Sequence, residues 1–175
     1  MQLSESVLHN LLLESLRLKP VSAQGTGRIM KRSVVVDVGE RTAEFAGYCR
    51  VVIPEGQAVN CAFYSLHTSR KLWGDDALQF KPSWWNHTSA KEREDSCHFL
   101  PLSTGTRNCV GRNLAMLELR LAVRFFLEEF RFEFDPADGS SDLQVEEECG
   151  INLFARNGLL MRFELCLEDK DKLKG

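Results

Sequence analysis

The sequence predicts an α+β fold, mainly α-helical with small β-sheets. Residues 5–18 and 111–130 each set apolar side chains at helical spacing. The other apolar runs are short, often β-branched and bounded by turn residues, which predicts several small strands. With 175 residues, 43% hydrophobic and 27% charged, the chain is long enough to bury the core of one domain.

In the first helix Ser4 stands at the N-cap position, and Val7, Leu8, Leu11, Leu12, Ser15 and Leu18 follow helical spacing. Pro20 closes it. Residues 33–38 are β-branched and predict a strand. Residues 50–53 and 58–65 predict two more, joined through the turn Pro54-Glu55-Gly56. Residues 68–99 lack a clear period and hold Trp73, Trp84 and Trp85, which predicts a long loop anchored by buried indoles. In the second helix Leu114, Leu117, Leu121, Ala122, Phe125, Phe126 and Phe130 share one face. Arg120, Arg124, Glu128 and Arg131 line the other. Residues 150–155 and 159–166 predict two strands with the hairpin signal Asn157-Gly158 between them, and residues 168–175 predict a disordered tail.

Composition excludes several function classes. A formal net charge of −3 and the lack of a Lys/Arg-rich run argue against a nucleic-acid partner. The apolar runs are too short to span a bilayer, so no membrane segment is expected here. The opening Met1-Gln2-Leu3-Ser4-Glu5 lacks the basic start and apolar stretch of a secretory signal. The six cysteines form no C-x-x-C and no zinc spacing with histidine; most are expected to be reduced and structural.

One cysteine has distinctive company. Cys109 lies in Gly105-x-Arg107-x-Cys109-x-Gly111, just before the second helix. A sulfur ligand for a metal must be deprotonated, and a helix N-terminus favours the anion. Gly105 and Gly111 leave room for a flat cofactor to approach the backbone, and Arg107 supplies a cation for a carboxylate on it. The plainer alternative is a buried structural cysteine. Glu14 and Arg17 are three apart on the first helix, a spacing that favours a solvated surface pair. Leu13, Leu16 and Leu18 beside them leave burial open.

Read in order, these motifs resemble the cytochrome P450 family over almost the whole chain. Glu14-Ser15-Leu16-Arg17 is similar to the E-x-x-R of its helix K. Trp73-Gly74-Asp75-Asp76-Ala77 and Phe80-x-Pro82 are similar to the W-G-x-D-A and F-x-P of its meander. Gly105-x-Arg107-x-Cys109-x-Gly111, followed by Asn113-Leu114-Ala115, is similar to its haem-binding loop and helix L. An unrelated α+β interaction module would have to present three ordered motifs by accident.

The resemblance implies that residues 1–167 are the C-terminal part of a P450 domain, from helix K to the terminal β-hairpin. The N-terminal and distal-helix half, including any segment like A-G-x-x-T, is not among these residues. It implies a monooxygenase that takes electrons from a reductase and incorporates oxygen from molecular oxygen into a small organic substrate. The alternative is a non-catalytic remnant with weak or no haem binding. The implied cofactor is haem b, with Cys109 as axial thiolate to the iron and the N–H groups of Val110 and Gly111 beside the sulfur. Gly105 leaves space, Leu102 replaces the usual Phe beneath the haem, and Arg107 and Arg28 bind propionates. Glu14 and Arg17 would form a buried clamp. Val21, Ser22 and Ala23, with Phe154 and Ala155, would border the substrate pocket. Trp84 stands where the meander usually supplies an Arg to the clamp, so Arg70 or Arg93 is expected to substitute. A reductase would dock beside Arg112, Arg120 and Arg124. The resemblance also implies the cytoplasmic side, with a full-length eukaryotic relative anchored to the endoplasmic reticulum membrane.

Overall fold

Helix α1 spans Glu5–Leu18, with the Ser4 hydroxyl accepting the Val7 N–H and the Lys19 N–H closing on the Ser15 carbonyl. A computed structural model describes residues 4–37, 50–87, 89–134 and 145–166. The buried face of α1 is rotated from the predicted stripe. Leu8, Leu12, Leu13 and Leu16 are buried together with Glu14 and Arg17, whereas Val7 and Ser15 are exposed. The rotation has a polar cause, since Glu14 and Arg17 find complete hydrogen-bonding partners inside.

After α1 the chain makes a nested ribbon. Strand β1, Thr26–Ile29, pairs antiparallel with β4, Ala58–Cys61; inside them β2, Val34–Asp37, pairs with β3, Arg50–Ile53. The turn at residues 54–57 therefore joins strands that pair with others rather than with each other. It lies opposite Met30, which exchanges backbone hydrogen bonds with Gly56 and Gln57 at 2.9 and 3.0 Å. At Gly25, φ is +72° and an added Cβ would sit 1.7 Å from the Cys61 carbonyl oxygen, so only glycine fits where the ribbon leaves α1. The predicted strand at 58–65 stops at Cys61, and α2, Phe63–His67, takes over. Val38, the last residue of the predicted strand 33–38, lies outside the described residues.

Residues 68–99 carry more order than their sequence suggested. They hold α3, Arg70–Trp73, a 3-10 turn at Pro82–Asn86, and α4, Ala90–Asp95. These pieces are too short to show an apolar period. They persist because Trp73, Ala77, Trp85 and Phe99 pack with Leu13 and Leu16 into one core. Trp73 meets Trp84 and Trp85 with ring centroids 6.1 and 5.9 Å apart, and Trp85 meets Phe99 at 4.7 Å.

Helix α5, Arg112–Glu129, runs beside α1, and no residue along it is buried. It leads into β5, Phe130–Phe134, which pairs with β8, Met161–Leu165, under a cluster of Phe125, Phe126, Phe130, Phe132 and Phe163. Between them β6, Glu147–Cys149, pairs with β7, Leu153–Ala155. The chain thus reverses at residues 150–152, within the predicted strand 150–155. Asn157-Gly158 does form a turn, with Gly158 at φ +70°, but its flanking strands belong to two different ladders. Among the described residues no helix is long and apolar enough to cross a membrane. The predicted tail at 168–175 lies outside the described residues.

Candidate functional site

The centre of the molecule is a buried ion pair. Glu14 and Arg17 are both 0% exposed, contrary to the surface pair that spacing alone favours. Arg17 Nε donates to Glu14 Oε2 at 2.9 Å, and one Nη to Oε1 at 2.8 Å. Its remaining N–H groups donate to the carbonyls of His67, Ala77 and Gln79 at 2.7, 2.6 and 3.0 Å. All five guanidinium donors are satisfied. Glu14 in turn accepts the Lys81 N–H at 2.7 Å and the Trp85 indole N–H at 3.1 Å. A desolvated pair is tolerable only with such complete pairing. It ties α1 to α2 and to the 3-10 turn at once.

The expected replacement for the missing arginine is corrected by this geometry. Trp85, not Trp84, reaches Glu14. Trp84 carries the Lys81 ammonium 4.6 Å from its ring centroid, and Arg93 lies 4.3 Å from the centroid of Trp73. Arg70 is exposed. A neutral donor therefore completes the site where a second cation was expected, and Trp85 is the residue that sequence reasoning passed over. Its signal was present, since a Trp next to Trp84 has the same indole donor one position along.

His67 connects this centre to the Cys109 loop. Its carbonyl accepts from Arg17, and its ring Nε2 accepts the Leu100 N–H at 2.8 Å. Burial, and then the Arg17 charge, hold its imidazole down at about 4. From Leu100 the chain turns through Leu102, whose carbonyl accepts the Cys109 N–H at 3.0 Å.

The loop itself is open. A 3-10 turn at Gly105–Arg107 starts at Gly105, whose φ is +75° with nothing within 4 Å of an added Cβ. Arg107, Cys109 and Val110 are exposed and Leu102 is half-buried. An added Cβ on Gly111 would stand 4.0 Å from Cys109 Sγ, so the sulfur lies over bare backbone. Among the described residues the N–H groups of Val110 and Gly111 have no hydrogen-bond acceptor. Soft sulfur, unpartnered N–H donors and an open glycine face fit an iron-thiolate centre. Cys61, Cys97 and Cys149 are likewise exposed and Cys166 half-buried; all five described cysteines are free thiols, and Cys109 is not the buried structural cysteine of the plainer alternative.

The other candidate residues fall into separate places. Arg28 sits on β1, exposed, its guanidinium turned back to the Gly27 carbonyl at 2.8 Å. Val21, Phe154 and Ala155 line a common cavity of about 560 Å³ with Lys19, Val145, Glu147 and Leu153. The Leu153 N–H donates to the Val21 carbonyl at 2.7 Å, and Lys19 pairs with Glu147, so β6 and β7 are pinned to the end of α1. Ser22 and Ala23 are used otherwise: Ser22 Oγ donates to the Gly25 carbonyl and the Ala23 carbonyl accepts from Tyr64. The three arginines expected to be open for a reductase each have a partner. Arg112 pairs with Glu94, Arg120 bonds His9 Nδ1 at 2.9 Å, and Arg124 pairs with Glu5 and Glu128.

Comparison with known proteins agrees with this arrangement. The family model described as Cytochrome P450 matches residues 6–157. A cytochrome P450 72A13 of Arabidopsis thaliana is 31% identical over 131 residues, covering 75% of this chain and 23% of the relative. The 11-oxo-beta-amyrin 30-oxidase of Medicago truncatula is 36% identical over 49% of this chain and 16% of its own length. The benzoate 4-monooxygenase of Aspergillus niger is 32% identical over 69% of this chain and 21% of its own. A crystal structure of a cytochrome P450 (CYP102L1) superposes with a TM-score of 0.68 and 25% identity, covering 91% of this chain and 31% of that one. The chain spans about a fifth of the length of the relatives it matches.

Proposed function

The chain belongs to the cytochrome P450 family, and from that premise we propose that it is the haem-holding C-terminal part of a haem-thiolate monooxygenase. The observation that carries this reading is the position of Cys109 Sγ over Gly111, in a loop whose Val110 and Gly111 N–H groups have no acceptor among the described residues. When bound, haem b supplies the iron chemistry that activates molecular oxygen. The chain's own residues hold and orient it. Cys109 would supply the thiolate that holds the iron, and the N–H groups of Val110 and Gly111, which have no acceptor among the described residues, would be the donors to its sulfur that tune the metal. Arg107 and, from β1, Arg28 neutralise the propionates. Leu102 would offer the haem an apolar side chain, and the Glu14–Arg17 pair fixes the elements from which the loop departs. The cavity beside Val21, Phe154 and Ala155 belongs to the binding region for a small organic substrate, with Ser22 and Ala23 shaping the turn behind it. In the whole enzyme a reductase supplies the electrons. The oxidase and monooxygenase names of the relatives support the reaction class.

One observation favours a second reading, a remnant with weak or no haem binding. Helix α5 buries no residue and Cys109 is exposed, so water reaches the ligand loop. A haem titration separates the two. The purified chain, loaded with haem, reduced and exposed to carbon monoxide, is expected to give the strongly red-shifted Soret band of a thiolate complex, and Cys109→Ala to abolish it. The same band in the Cys109→Ala variant overturns the ligand assignment. No band in either protein selects the remnant.

A further inference from the structure

We infer that His67 is a positioning residue for the Cys109 loop, holding the backbone of Leu100 in a fixed place relative to the Glu14–Arg17 pair. The residue is 0% exposed, with its ring stacked on Phe63 at 6.2 Å and tilted against Phe99 at 5.2 Å. Packing alone would be served as well by a Phe or Leu at this place. What the imidazole adds is an acceptor. Nε2 takes the Leu100 N–H at 2.8 Å, a bond linking residues 33 apart in sequence. To accept there, the ring must be neutral and carry its proton on Nδ1. Nδ1 is itself buried without a partner. The site thus keeps a half-satisfied imidazole in its interior, which makes sense if the Nε2 bond is what the position requires.

Both ends of that bond lead somewhere. On one side the His67 carbonyl accepts from Arg17 at 2.7 Å, so the guanidinium fixes α2 where the ring departs from it. On the other, Leu100 lies two residues before Leu102, whose carbonyl accepts the Cys109 N–H at 3.0 Å. Phe99 adds a parallel contact, because its ring packs at 4.7 Å on Trp85, the indole that donates to Glu14. Two short links therefore run from the buried ion pair to residues 99–100, and only one of them is a directional hydrogen bond. A hydrogen bond fixes distance and angle where apolar stacking fixes neither as tightly. His67 is fully buried, and its ring acts through Leu100.

This inference rests on reading Cys109 as the ligand only for its consequence on haem, so the test has two arms. In the full chain without haem, imidazole nitrogen NMR is expected to show the Nδ1–H tautomer with Nε2 as acceptor. The Nε2–H tautomer overturns the proposal, and this measurement needs no variant. Amide exchange supplies the second readout. His67→Phe, which refills the stack but cannot accept, is expected to speed exchange at Leu100 and Cys109 by about tenfold relative to the amides of α1. His67→Gln, whose Oε1 can stand in for Nε2, is expected to restore most of the protection. Exchange in His67→Phe that is unchanged, or that rises equally in α1, overturns a positioning role. Where His67→Phe does not fold, loss of Leu100 protection in His67→Gln overturns it instead. With haem bound, His67→Phe is further expected to convert part of the red-shifted carbon monoxide band to a less shifted one, with His67→Gln intermediate. Unchanged bands in both overturn the effect on the ligand loop, whereas the Cys109→Ala variant independently decides whether that band belongs to Cys109.

Discussion

Glu14 shows how much a single residue carries here. Its fully buried carboxylate accepts four hydrogen bonds, two from Arg17 and one each from Lys81 and Trp85. Glu14→Gln leaves the Arg17 cation buried without its counter-charge, and loss of one partner from such a pair costs about 3–5 kcal/mol. Trp85→Phe keeps the ring against Phe99 and removes one N–H donor to a charged group, at about 2 kcal/mol. Urea unfolding of the two variants is expected to rank them in that order, with the first removing a large share of the roughly 5–15 kcal/mol that stabilises a typical domain. At this scale the sequence pattern was legible as a pair but not as a buried one. Three-residue spacing looks the same on the surface as inside, and what decides is the set of carbonyls from His67, Ala77 and Gln79, contributed from 50 to 62 residues away.

Among the elements, the short ones depend most on local devices. Helix α4 has six residues, too few to persist by propensity, and it begins with a capping box. Ser89 Oγ accepts the Glu92 N–H at 3.2 Å, and Glu92 accepts the Ser89 N–H at 2.7 Å. Ser89→Ala is expected to cost about 1 kcal/mol. Amide exchange should rise in α4 and in His98 and Phe99, whose N–H groups close on the Arg93 carbonyl at 2.8 and 3.2 Å. Equal loosening of α1 would contradict this local origin. The long helices were legible in the sequence because fourteen and eighteen residues repeat an apolar period. Strand partners were not. The turns at Gly56 and Gly158 are real, yet each joins strands that pair elsewhere, since a turn residue fixes only local backbone direction while pairing follows the ladder available across the fold.

For the whole molecule, the buried His67 sets an acid limit. Its pKa falls from 6.5 to about 4 in the folded state, so between those values the unfolded chain binds the extra proton. Stability is complete above pH 6.5 and is lost as pH falls toward 4, by about 3 kcal/mol for this group. The charge that opposes a second buried cation is that of Arg17, whose guanidinium donates to the His67 carbonyl. Asp76, held low by its bond to Lys81, and Glu92, held low by the Ser89 N–H, lose their share only at lower pH. Denaturant titrations from pH 7.5 to 4.5 are expected to show this slope in the wild type and a flatter one in His67→Gln. Equal slopes would remove His67 from the acid response.

The molecule also has two unlike halves. The core around Trp73, Trp85 and Phe99 is closed, while α5 leaves Leu114, Leu117, Leu121 and Phe125 more than half exposed. A surface that apolar is unusual for a soluble monomer.

By itself the sequence determined the two long helices, the family, and the Cys109 loop with its glycines. Each of these is written in neighbouring residues: a period of apolar side chains, or a motif within a few positions. Only the tertiary structure decided that Glu14 and Arg17 are buried, that Trp85 rather than a second arginine completes their partners, and that His67 reaches Leu100. Those facts depend on groups far apart in sequence meeting where water is excluded, and no local pattern records such a meeting.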